Sequence, residues 1–117
     1  MQKIKVKIQI PHGGLMAFGP GKAQLLVAIG QHGSISAAAK SMNMSYKRAW
    51  ELVAVMNQSF KEPLVTTSVG GVSGGGATLT EFGISALSHY QSLQNKSEQF
   101  VNKEAHAFLA MLIASSD

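Results

Sequence analysis

Two hydroxyl groups and two cations stand together at the start of one short segment of this chain. Ser45, Tyr46, Lys47 and Arg48 follow one another, and helix-forming residues continue behind them to Asn57. Hydroxyl and basic side chains in the first turn of a helix can donate hydrogen bonds to phosphate oxygens and to the edges of bases. The cluster therefore indicates a surface that binds a nucleic acid.

The residues around this cluster have the pattern of a helix-turn-helix over residues 34–57. Ser36 can cap a first helix that contains three successive alanines, and Met42 gives that helix an apolar anchor. Asn43 tolerates the positive φ of a tight turn, and Ser45 can cap the second helix. We therefore predict two short helices, the second of which enters the major groove of DNA.

The second helix has two faces of opposite character. Its predicted core residues are Ala49, Val53, Met56 and Phe60. Its solvent face carries Lys47, Glu51 and Gln58, with Tyr46 and Arg48 on the flanks. We expect Lys47 and Arg48 to contact DNA, because either side chain can pair with guanine O6 and N7. Ser45 is expected both to cap the helix and to donate to a phosphate.

Three residues of this helix have open roles. Tyr46 contacts a phosphate or a thymine methyl group, or it packs against Trp50 one turn later. Trp50 is interpreted as a structural residue at the edge of the core face. Glu51 can accept a hydrogen bond from a cytosine amine, but a carboxylate near phosphates equally suits a surface that binds a protein.

A glycine-rich stretch lies between two strand-like segments behind the second helix. Residues 64–69 are rich in β-branched side chains, residues 70–76 contain five glycines, and residues 77–79 can form a returning strand. A hairpin at this place is a wing. The glycines do not suit a nucleotide-binding fingerprint, which needs them between a strand and a helix. The complete set predicted to contact DNA is Ser36, Ser45, Tyr46, Lys47, Arg48, Glu51, Gly71, Ser73, Gly74 and Gly75.

The rest of the chain predicts a strand and two further helices. Alternation over residues 2–10 favours a strand that Pro11 to Gly14 end. A helix over residues 22–31 follows Pro20 and ends at Gly33. A long helix over residues 81–114 exceeds what one domain needs, so we predict a homodimer through it; the alternative is a helix folded back in two pieces. The predicted domains are a winged helix over residues 1–80 and a dimerisation helix over residues 81–117, in a mainly helical α+β fold.

The composition is consistent with a DNA-binding protein and offers little for other classes. Of 117 residues, 45% are hydrophobic and none is cysteine, which suits a cytoplasmic protein. Residues 1–79 hold eight lysine and arginine residues against two acids, whereas residues 80–117 hold two against four. A basic front suits a polyanion. The four histidines and six acids form no spacing typical of a metal site or an enzyme, and no stretch is long enough to span a membrane.

The order of these elements resembles the LysR-type winged helix. The stretches GSIS at residues 33–36 and LTEFG at residues 79–83 are similar to the signature residues of that family. The stretch SYKRAW at residues 45–50, together with the glycine-rich wing, resembles the molybdate-responsive, ModE-type regulators. That resemblance implies a transcriptional regulator that binds double-stranded DNA as a homodimer.

Two departures from the ModE-type pattern bear on function. The family's oxyanion-binding domain would follow the long helix, so we expect no cofactor and no molybdate site within these 117 residues. Val72 and Ser73 stand where the family wing often carries a basic residue, which predicts weaker electrostatic contacts from the wing. The alternative functions are a winged helix that binds a protein, and a LysR-like domain that has lost its effector half.

Overall fold

The computed structural model describes residues 3–71 and 74–114, which form five helices and two small antiparallel sheets. The elements are β1 (Ile10–His12), β2 (Leu15–Phe18), α1 (Pro20–His32), α2 (Ile35–Ser41), α3 (Tyr46–Ser59), β3 (Val65–Gly71), β4 (Gly74–Leu79), α4 (Glu81–Glu104) and α5 (His106–Leu109). β1 pairs with β2, and β3 pairs with β4. This arrangement is the winged helix-turn-helix that the sequence predicts.

The first helices begin and end at residues that suit helix ends. Pro20 lies in the first turn of α1, and Gly33 ends that helix with a φ of 74°. Asn43, in the turn between α2 and α3, has a φ of 53°, a left-handed conformation that asparagine tolerates better than most residues. The Oγ of Ser45 caps α3 by accepting a hydrogen bond from the N–H of Arg48 at 3.0 Å. These predictions are confirmed.

The predicted cap of α2 is wrong by two residues. The capping residue is Ser34, whose Oγ accepts a hydrogen bond from the N–H of Ala37 at 3.0 Å. Ile35 follows it and is buried, so the need to place its side chain in the core starts the helix there. Ser36 consequently lies inside the first turn, with an exposed side chain.

One core joins α1, α2, α3 and the wing. Leu26 and Ile29 of α1 and Met56 of α3 are fully buried, as is Leu64 just before β3. The predicted core face of α3 is confirmed, with Phe60 partly buried at its end. Truncation of one of these large side chains to alanine would cost about 2–5 kcal/mol, which shows how firmly this core positions α3.

The N-terminal strand predicted over residues 2–10 is wrong in its extent. Strand pairing begins at Ile10, and β1 turns through Gly13 and Gly14, at φ values of 57° and 80°, into β2. The glycines therefore make a hairpin turn instead of ending an isolated strand. Pro11 is tolerated because a two-stranded hairpin has only edge strands.

Residues 3–9 run along α4 and are held by its side chains. The four side chains are spaced one helical turn apart and are Tyr90, Gln94, Glu98 and Asn102. The Tyr90 hydroxyl donates to the carbonyl of Ile8 at 2.8 Å. Asn102 accepts from the N–H of Ile4 at 2.8 Å and donates to its carbonyl at 3.0 Å. We call this arrangement the N-terminal clasp.

The centre of the N-terminal clasp carries a charge. Glu98 accepts hydrogen bonds from the N–H of Val6 at 3.2 Å and from the side-chain amide of Gln94 at 2.9 Å. The hydrogen bond from Val6, followed by that from Gln94 and by the nearby Lys5 and Lys3, holds the pKa of the Glu98 carboxyl below its usual range. The carboxylate form therefore holds the segment in place.

The long C-terminal helix is shorter than predicted. α4 ends at Glu104, Ala105 has a φ of −87° and a ψ of 1°, and α5 continues for one turn. The last contact of the N-terminal clasp is at Asn102. Helix propensity alone seldom maintains a helix beyond its packing partners, so the break falls close to the point where support ends. α4 also makes the molecule elongated, with extents of 59 × 32 × 24 Å.

Candidate nucleic-acid interface

The solvent face of α3 divides into three strips when each residue advances about 100° around the helix. Tyr46 and Trp50 form the strip on the side of the wing. Lys47 and Glu51 form the central strip, opposite the buried face. Arg48 lies on the remaining flank, on the side of α1. All five side chains are exposed.

The strip on the wing side faces a cleft of about 270 Å³ between the helix-turn-helix and the wing. The residues that line it are Ser34, Ile35, Ser36, Tyr46, Trp50, Thr67, Ser68, Val69, Gly75 and Gly76. The cleft thus brings together three of the predicted DNA-contact residues, which are Ser36, Tyr46 and Gly75. It combines hydroxyl groups with two aromatic rings, groups that can contact a nucleic-acid backbone and its bases.

Trp50 is more exposed than the sequence analysis expected. It was interpreted as structural, but 44% of its surface is exposed and it lines the cleft. Tyr46, one turn earlier, is 52% exposed and lines the same cleft. The signal in the sequence was the position of Trp50 on the solvent flank, directly in line with Tyr46. The sequence of α3 alone could not predict this exposure, because it depends on the wing. Gly75 and Gly76, across the cleft, have no side chain that could cover the ring.

The wing is attached firmly to the end of α1. The N–H of Ala77 donates to the carbonyl of Gly33 at 2.8 Å. The N–H of Gly76 donates to the Oγ of Ser68 at 3.2 Å across the hairpin. A Cβ atom at Gly76 would lie 3.1 Å from that Oγ, so any larger residue here would require the Ser68 side chain to shift. The base of the wing is therefore held in one position beside α3.

The tip of the wing is described in part. Gly71 and Gly74 are paired across the two strands. Ser73, which was predicted to contact a phosphate, lies outside the described residues, as does Val72. The predicted tip contacts therefore stay predictions.

Asn57 joins α3 to the wing, a role that no motif in the sequence indicates. Its Oδ1 accepts hydrogen bonds from the N–H groups of Leu64, at 2.8 Å, and Val65, at 3.2 Å. Its Nδ2 donates to the carbonyl of Val65 at 3.0 Å. One side chain thus sets the distance between the end of α3 and the first strand of the wing.

Arg48 lies apart from the cleft, in a second groove beside the start of α1. This groove, of about 220 Å³, is also lined by Gly19, Pro20 and Lys22. Partial burial and, to a smaller extent, the positive charge of Arg48 lower the pKa of Lys22. Two cations from different helices therefore meet here, a combination that favours an anion between them.

The charges in the first turn of α3 oppose the helix dipole. That turn contains Lys47 and Arg48 and no acidic residue. Each cation at a helix N-terminus is unfavourable by about 0.3–1 kcal/mol, and the Ser45 cap offsets part of that cost. A surface that keeps cations in such a position is suited to an anionic partner.

The structure offers no competing metal centre or membrane segment within residues 3–71 and 74–114. In that part of the chain, no three histidine, cysteine or acidic residues come together as a metal site would need. None of its helices combines the length and the apolar character needed to cross a membrane.

Comparison with known proteins identifies the helix-turn-helix. Residues 21–84 match the family model of the bacterial regulatory helix-turn-helix proteins of the lysR family. The chain is 45% identical over 76 residues to the molybdenum-pterin-binding protein MopB of Rhodobacter capsulatus, which is 65% of this chain and 28% of that protein. It is 34% identical over 93 residues to MopA of the same organism, covering 80% and 35%.

A protein named ModE shows a similar likeness. The molybdenum transport protein ModE of Azotobacter vinelandii is 41% identical over 78 residues, which is 67% of this chain and 29% of that protein. The chain thus matches about a third of the length of these curated relatives, and the likeness supports the ModE-type resemblance of the DNA-binding domain. The family model covers more than half of the chain, from α1 through the wing to the start of α4. The chain therefore belongs to the lysR family of bacterial regulatory helix-turn-helix proteins.

Proposed function

We propose that this chain is the DNA-binding part of a transcriptional regulator of the molybdate-responsive, ModE-like type. The observation that carries the proposal is the exposed Lys47 in the first turn of α3, at the middle of its solvent face. α3 is capped by Ser45 and lies beside the wing. In this fold such a helix enters the major groove while the wing lies on flanking phosphates. The basic charge of the first 79 residues supports an anionic partner.

The three strips of α3 suggest three kinds of contact. Lys47 and Glu51, at the centre, would read base edges, with Lys47 on a guanine and Glu51 on a cytosine amine. Tyr46 and Trp50 would contact sugar, phosphate or a thymine methyl group from the cleft. Arg48 is better placed, with Lys22, to hold a backbone phosphate than to read a base. This assignment changes the expectation that Arg48 contacts a base edge.

The backbone-contact group would include Ser45 and the wing. Ser45 would add a hydroxyl at the start of α3, and Ser36 would add another from the cleft. Gly71, Gly74 and Gly75 would present backbone N–H groups to the phosphates. Such contacts fix the orientation of the protein on DNA without selecting a sequence.

We also propose that two copies bind together through α4. The apolar side chains exposed along α4 and beyond it support this proposal, and they are Leu93, Phe100, Phe108, Met111, Leu112 and Ile113. A two-fold dimer binds a pseudo-palindromic operator whose half-sites lie one helical turn of DNA, about 34–36 Å, apart or at multiples of that distance.

Binding of duplex DNA by the full chain tests the proposal directly. An operator would be selected from random duplexes, and binding would be followed by anisotropy of the labelled DNA over a series of salt concentrations. The logarithm of the binding constant should fall with that of salt at about −0.9 per neutralised phosphate. The single tryptophan, Trp50, should change its fluorescence on binding. Absence of binding by a folded protein at low salt would contradict the proposal.

Substitutions separate base contacts from phosphate contacts. Lys47→Ala should cost about 1–3 kcal/mol and relax selectivity at one base pair. Arg48→Ala should weaken binding to all sequences and reduce the salt slope by about one. Lys103→Ala, near the end of α4, is the control and should leave both quantities unchanged. Loss of selectivity in Arg48→Ala would show that Arg48 reads a base after all.

A protein partner for the same surface is the second candidate, because Glu51 lies exposed at the centre of α3. On DNA, Glu51→Gln would remove a repulsive charge but also an acceptor for cytosine. If the substitution strengthens binding to every duplex equally, Glu51 has no role in reading bases. In that case the surface is better suited to a protein than to an operator.

The link with molybdenum comes from the names of the relatives and from the ModE-type resemblance of residues 45–50. We propose that this chain acts in the same kind of regulation. We expect the chain itself to bind no molybdate. Calorimetric titration of the protein with molybdate, beside sulfate as the control anion, would test this expectation, and a molybdate-specific heat would contradict it.

A further inference from the structure

The N-terminal clasp presents three lysines on one side of an extended segment. Successive side chains of an extended chain point to opposite sides. The residues whose backbone is bonded to α4 are half-buried, and they are Ile4, Val6 and Ile8. The residues that alternate with them are exposed, and they are Lys3, Lys5 and Lys7. The three lysines therefore share one side of the segment and span about 13 Å, at about 3.3 Å for each residue.

The backbone that carries these lysines is held in place by α4. The side chains that hold it lie one helical turn apart, and they are Tyr90, Gln94, Glu98 and Asn102. They are bonded to every second residue from Ile4 to Ile8. A lysine on an ordered backbone loses less conformational freedom on binding than a lysine on a disordered chain. The three charges are thus arranged before any partner binds.

The lysine-bearing side of the segment leads to the cations beside α3. Gln9 is the next residue on that side, and it lines the groove that contains Lys22 and Arg48. The Gln9 side chain packs against Gly19, where a Cβ atom would lie 2.5 Å from the Gln9 Oε1. Glycine at position 19 therefore allows the end of the segment to lie against the start of α1. The segment and the groove form one continuous surface.

We call this surface the basic track, and its cations are Lys3, Lys5, Lys7, Lys22 and Arg48. The carboxylate of Glu98 lies beside it. Hydrogen bonds from Val6 and Gln94, with smaller effects of Lys5 and Lys3, lower the pKa of that carboxyl. Glu98 is thus ionised at neutral pH and offsets only one of the five positive charges. A surface with this excess of cations attracts a polyanion.

The basic track leaves α3 on the side opposite to the wing. Tyr46 and Trp50 lie on the flank of α3 that faces the wing cleft, whereas Arg48 lies on the other flank. In the proposed complex α3 lies in the major groove, so its two flanks face the DNA on either side of the half-site. The wing and the basic track would therefore meet different parts of the duplex.

We propose that the basic track binds the sugar-phosphate backbone of DNA next to the half-site, on the side away from the wing. Arg48 and Lys22 would hold phosphates at the edge of the major groove, and the lysines of the N-terminal clasp would hold those that follow. One strand of B-DNA has a phosphate for each 3.4 Å or so of its axis, so about 13 Å of duplex offers enough phosphates for three lysines. Such contacts add affinity that depends on salt and not on sequence.

This inference rests on the proposed function and extends its DNA contacts beyond α3 and the wing. Three duplexes would test it. One is the selected half-site alone, and the other two carry about ten further base pairs, one helical turn, on one end or on the other. Because the sequence has no cysteine, a single cysteine can carry an iron chelate that cuts nearby DNA. Val69→Cys, at a fully exposed position of the wing, would show which end of the half-site lies on the wing side.

The test variant combines Lys3→Gln, Lys5→Gln and Lys7→Gln. It should fold, because these side chains are exposed and the bonds to α4 come from the intervening residues. On the duplex extended away from the wing, binding at about 0.1 M salt should weaken at least about tenfold, and the salt slope should fall by up to about 2.7. Binding to the other two duplexes should change little. Arginine at the same three positions should retain the affinity.

The matched control combines Lys61→Gln, Lys96→Gln and Lys103→Gln, three exposed lysines outside the basic track. It removes the same net charge and should affect the three duplexes alike and weakly. Equal losses of the test variant on all three duplexes would overturn the proposal, because the lysines would then act only through net charge. Unchanged binding of the test variant to every duplex would also overturn it and leave the basic track to an acidic protein. Failure of the unsubstituted protein to bind any duplex would instead contradict the proposed function.

Direct cleavage gives a second test that does not depend on affinity. Lys5→Cys, carrying the same iron chelate, should cut the DNA backbone in the extension away from the wing. Cuts confined to the wing side, or no cuts in a bound complex, would place the N-terminal clasp away from DNA and overturn the proposal. Gln58→Cys, at an exposed position near the end of α3, is the matched control and should give no cuts in the extension.

Discussion

The helix-turn-helix and α4 are positioned by contacts of very different range along the chain. In the helix-turn-helix, Ser34 and Ser45 each accept a hydrogen bond from a residue three positions later. Along α4, Tyr90 and Asn102 are bonded to residues that lie 82 and 98 positions away. The first region therefore depends on hydrogen bonds between neighbours in the sequence. The second depends on hydrogen bonds between residues that only the fold brings together.

The two regions therefore differ in how far their contacts can be predicted from residue types. A cap or a turn depends on a few neighbouring residues, so its residue types predict it. A side chain that bonds a distant backbone looks the same in the sequence as one in solvent. Substitutions in each region would test whether its stability depends on local or on distant contacts.

The largest loss of stability is expected for Asn57→Ala. It would show that the helix-turn-helix also depends on contacts beyond the nearest turn of helix. The substitution removes three hydrogen bonds between α3 and the first wing strand and leaves the N–H groups of Leu64 and Val65 without that partner. At about 1 kcal/mol for each bond, the free energy of unfolding should fall by about 3 kcal/mol. Urea unfolding measures it. Gln58→Ala, the exposed neighbour, is the control, and an equal loss there would mean that the bonds contribute little.

A smaller loss is expected for Gly83→Ala, in the first turn of α4. A Cβ atom at this position would collide with the backbone carbonyl of Leu64. Backbone cannot move aside as a flexible side chain can, so stability should fall by about 2 kcal/mol. Gly21→Ala in α1 is the matched control, because its Cβ would meet open space and alanine should stabilise the helix by up to about 1 kcal/mol. Thermal unfolding of both variants would compare them, and two changes of the same sign would show that the contact with Leu64 is absent.

The three serines of the helix-turn-helix test its local construction. Ser34→Ala and Ser45→Ala each remove a cap and should cost about 1 kcal/mol. Ser36→Ala should change stability by less than about 0.5 kcal/mol, because the side chain is exposed and is not the cap. Chemical unfolding of the three variants would rank them. A loss at Ser36 as large as that at Ser34 would restore Ser36 as the capping residue.

The smallest effect is expected from the charge of Glu98 in the N-terminal clasp. Its pKa is lowered in the folded protein, chiefly by the N–H of Val6 and then by Gln94. The stabilisation is therefore fully present above the ordinary glutamate pKa of about 4.3 and is lost as the pH falls through the lower folded value. The protection factor of the Val6 amide against hydrogen exchange, which corrects for the intrinsic pH dependence of exchange, should fall in that acidic range. In Glu98→Gln the acidic step should be absent, and a step that persists would assign it to another carboxyl group.

Particular residues show where sequence reasoning succeeded. Asn43 was expected at a positive φ and has one, and Ser45 was expected to cap α3 and does so. The wing, too, was predicted, because glycine-rich turns between β-branched segments favour a hairpin. In each case, the few residues whose types predicted the conformation are also the residues that determine it.

Other residues show where it failed. Ser36 was chosen as a cap because its type fits, but the burial of Ile35 selected Ser34. Residues 3–9 alternate like a strand, yet they pair with no strand and are bonded to side chains of α4. Trp50 was assigned to the edge of the core face from its position on α3, whereas 44% of its surface is exposed and it lines the cleft beside the wing. Each error concerned which side chains the folded protein buries and which it leaves exposed.

The sequence by itself determined the order of the helices, the turn, the wing and the basic first turn of α3, because backbone preferences and caps act over three or four residues. Tertiary structure alone decided which flank of α3 faces the wing, that Arg48 joins Lys22, and that a clasp from the N-terminus supports α4 up to Asn102. Hydrogen bonds and burial stabilise whichever groups the folded chain brings together, wherever those groups lie in the sequence. A residue type states what a side chain can do, and the fold decides which partner it meets.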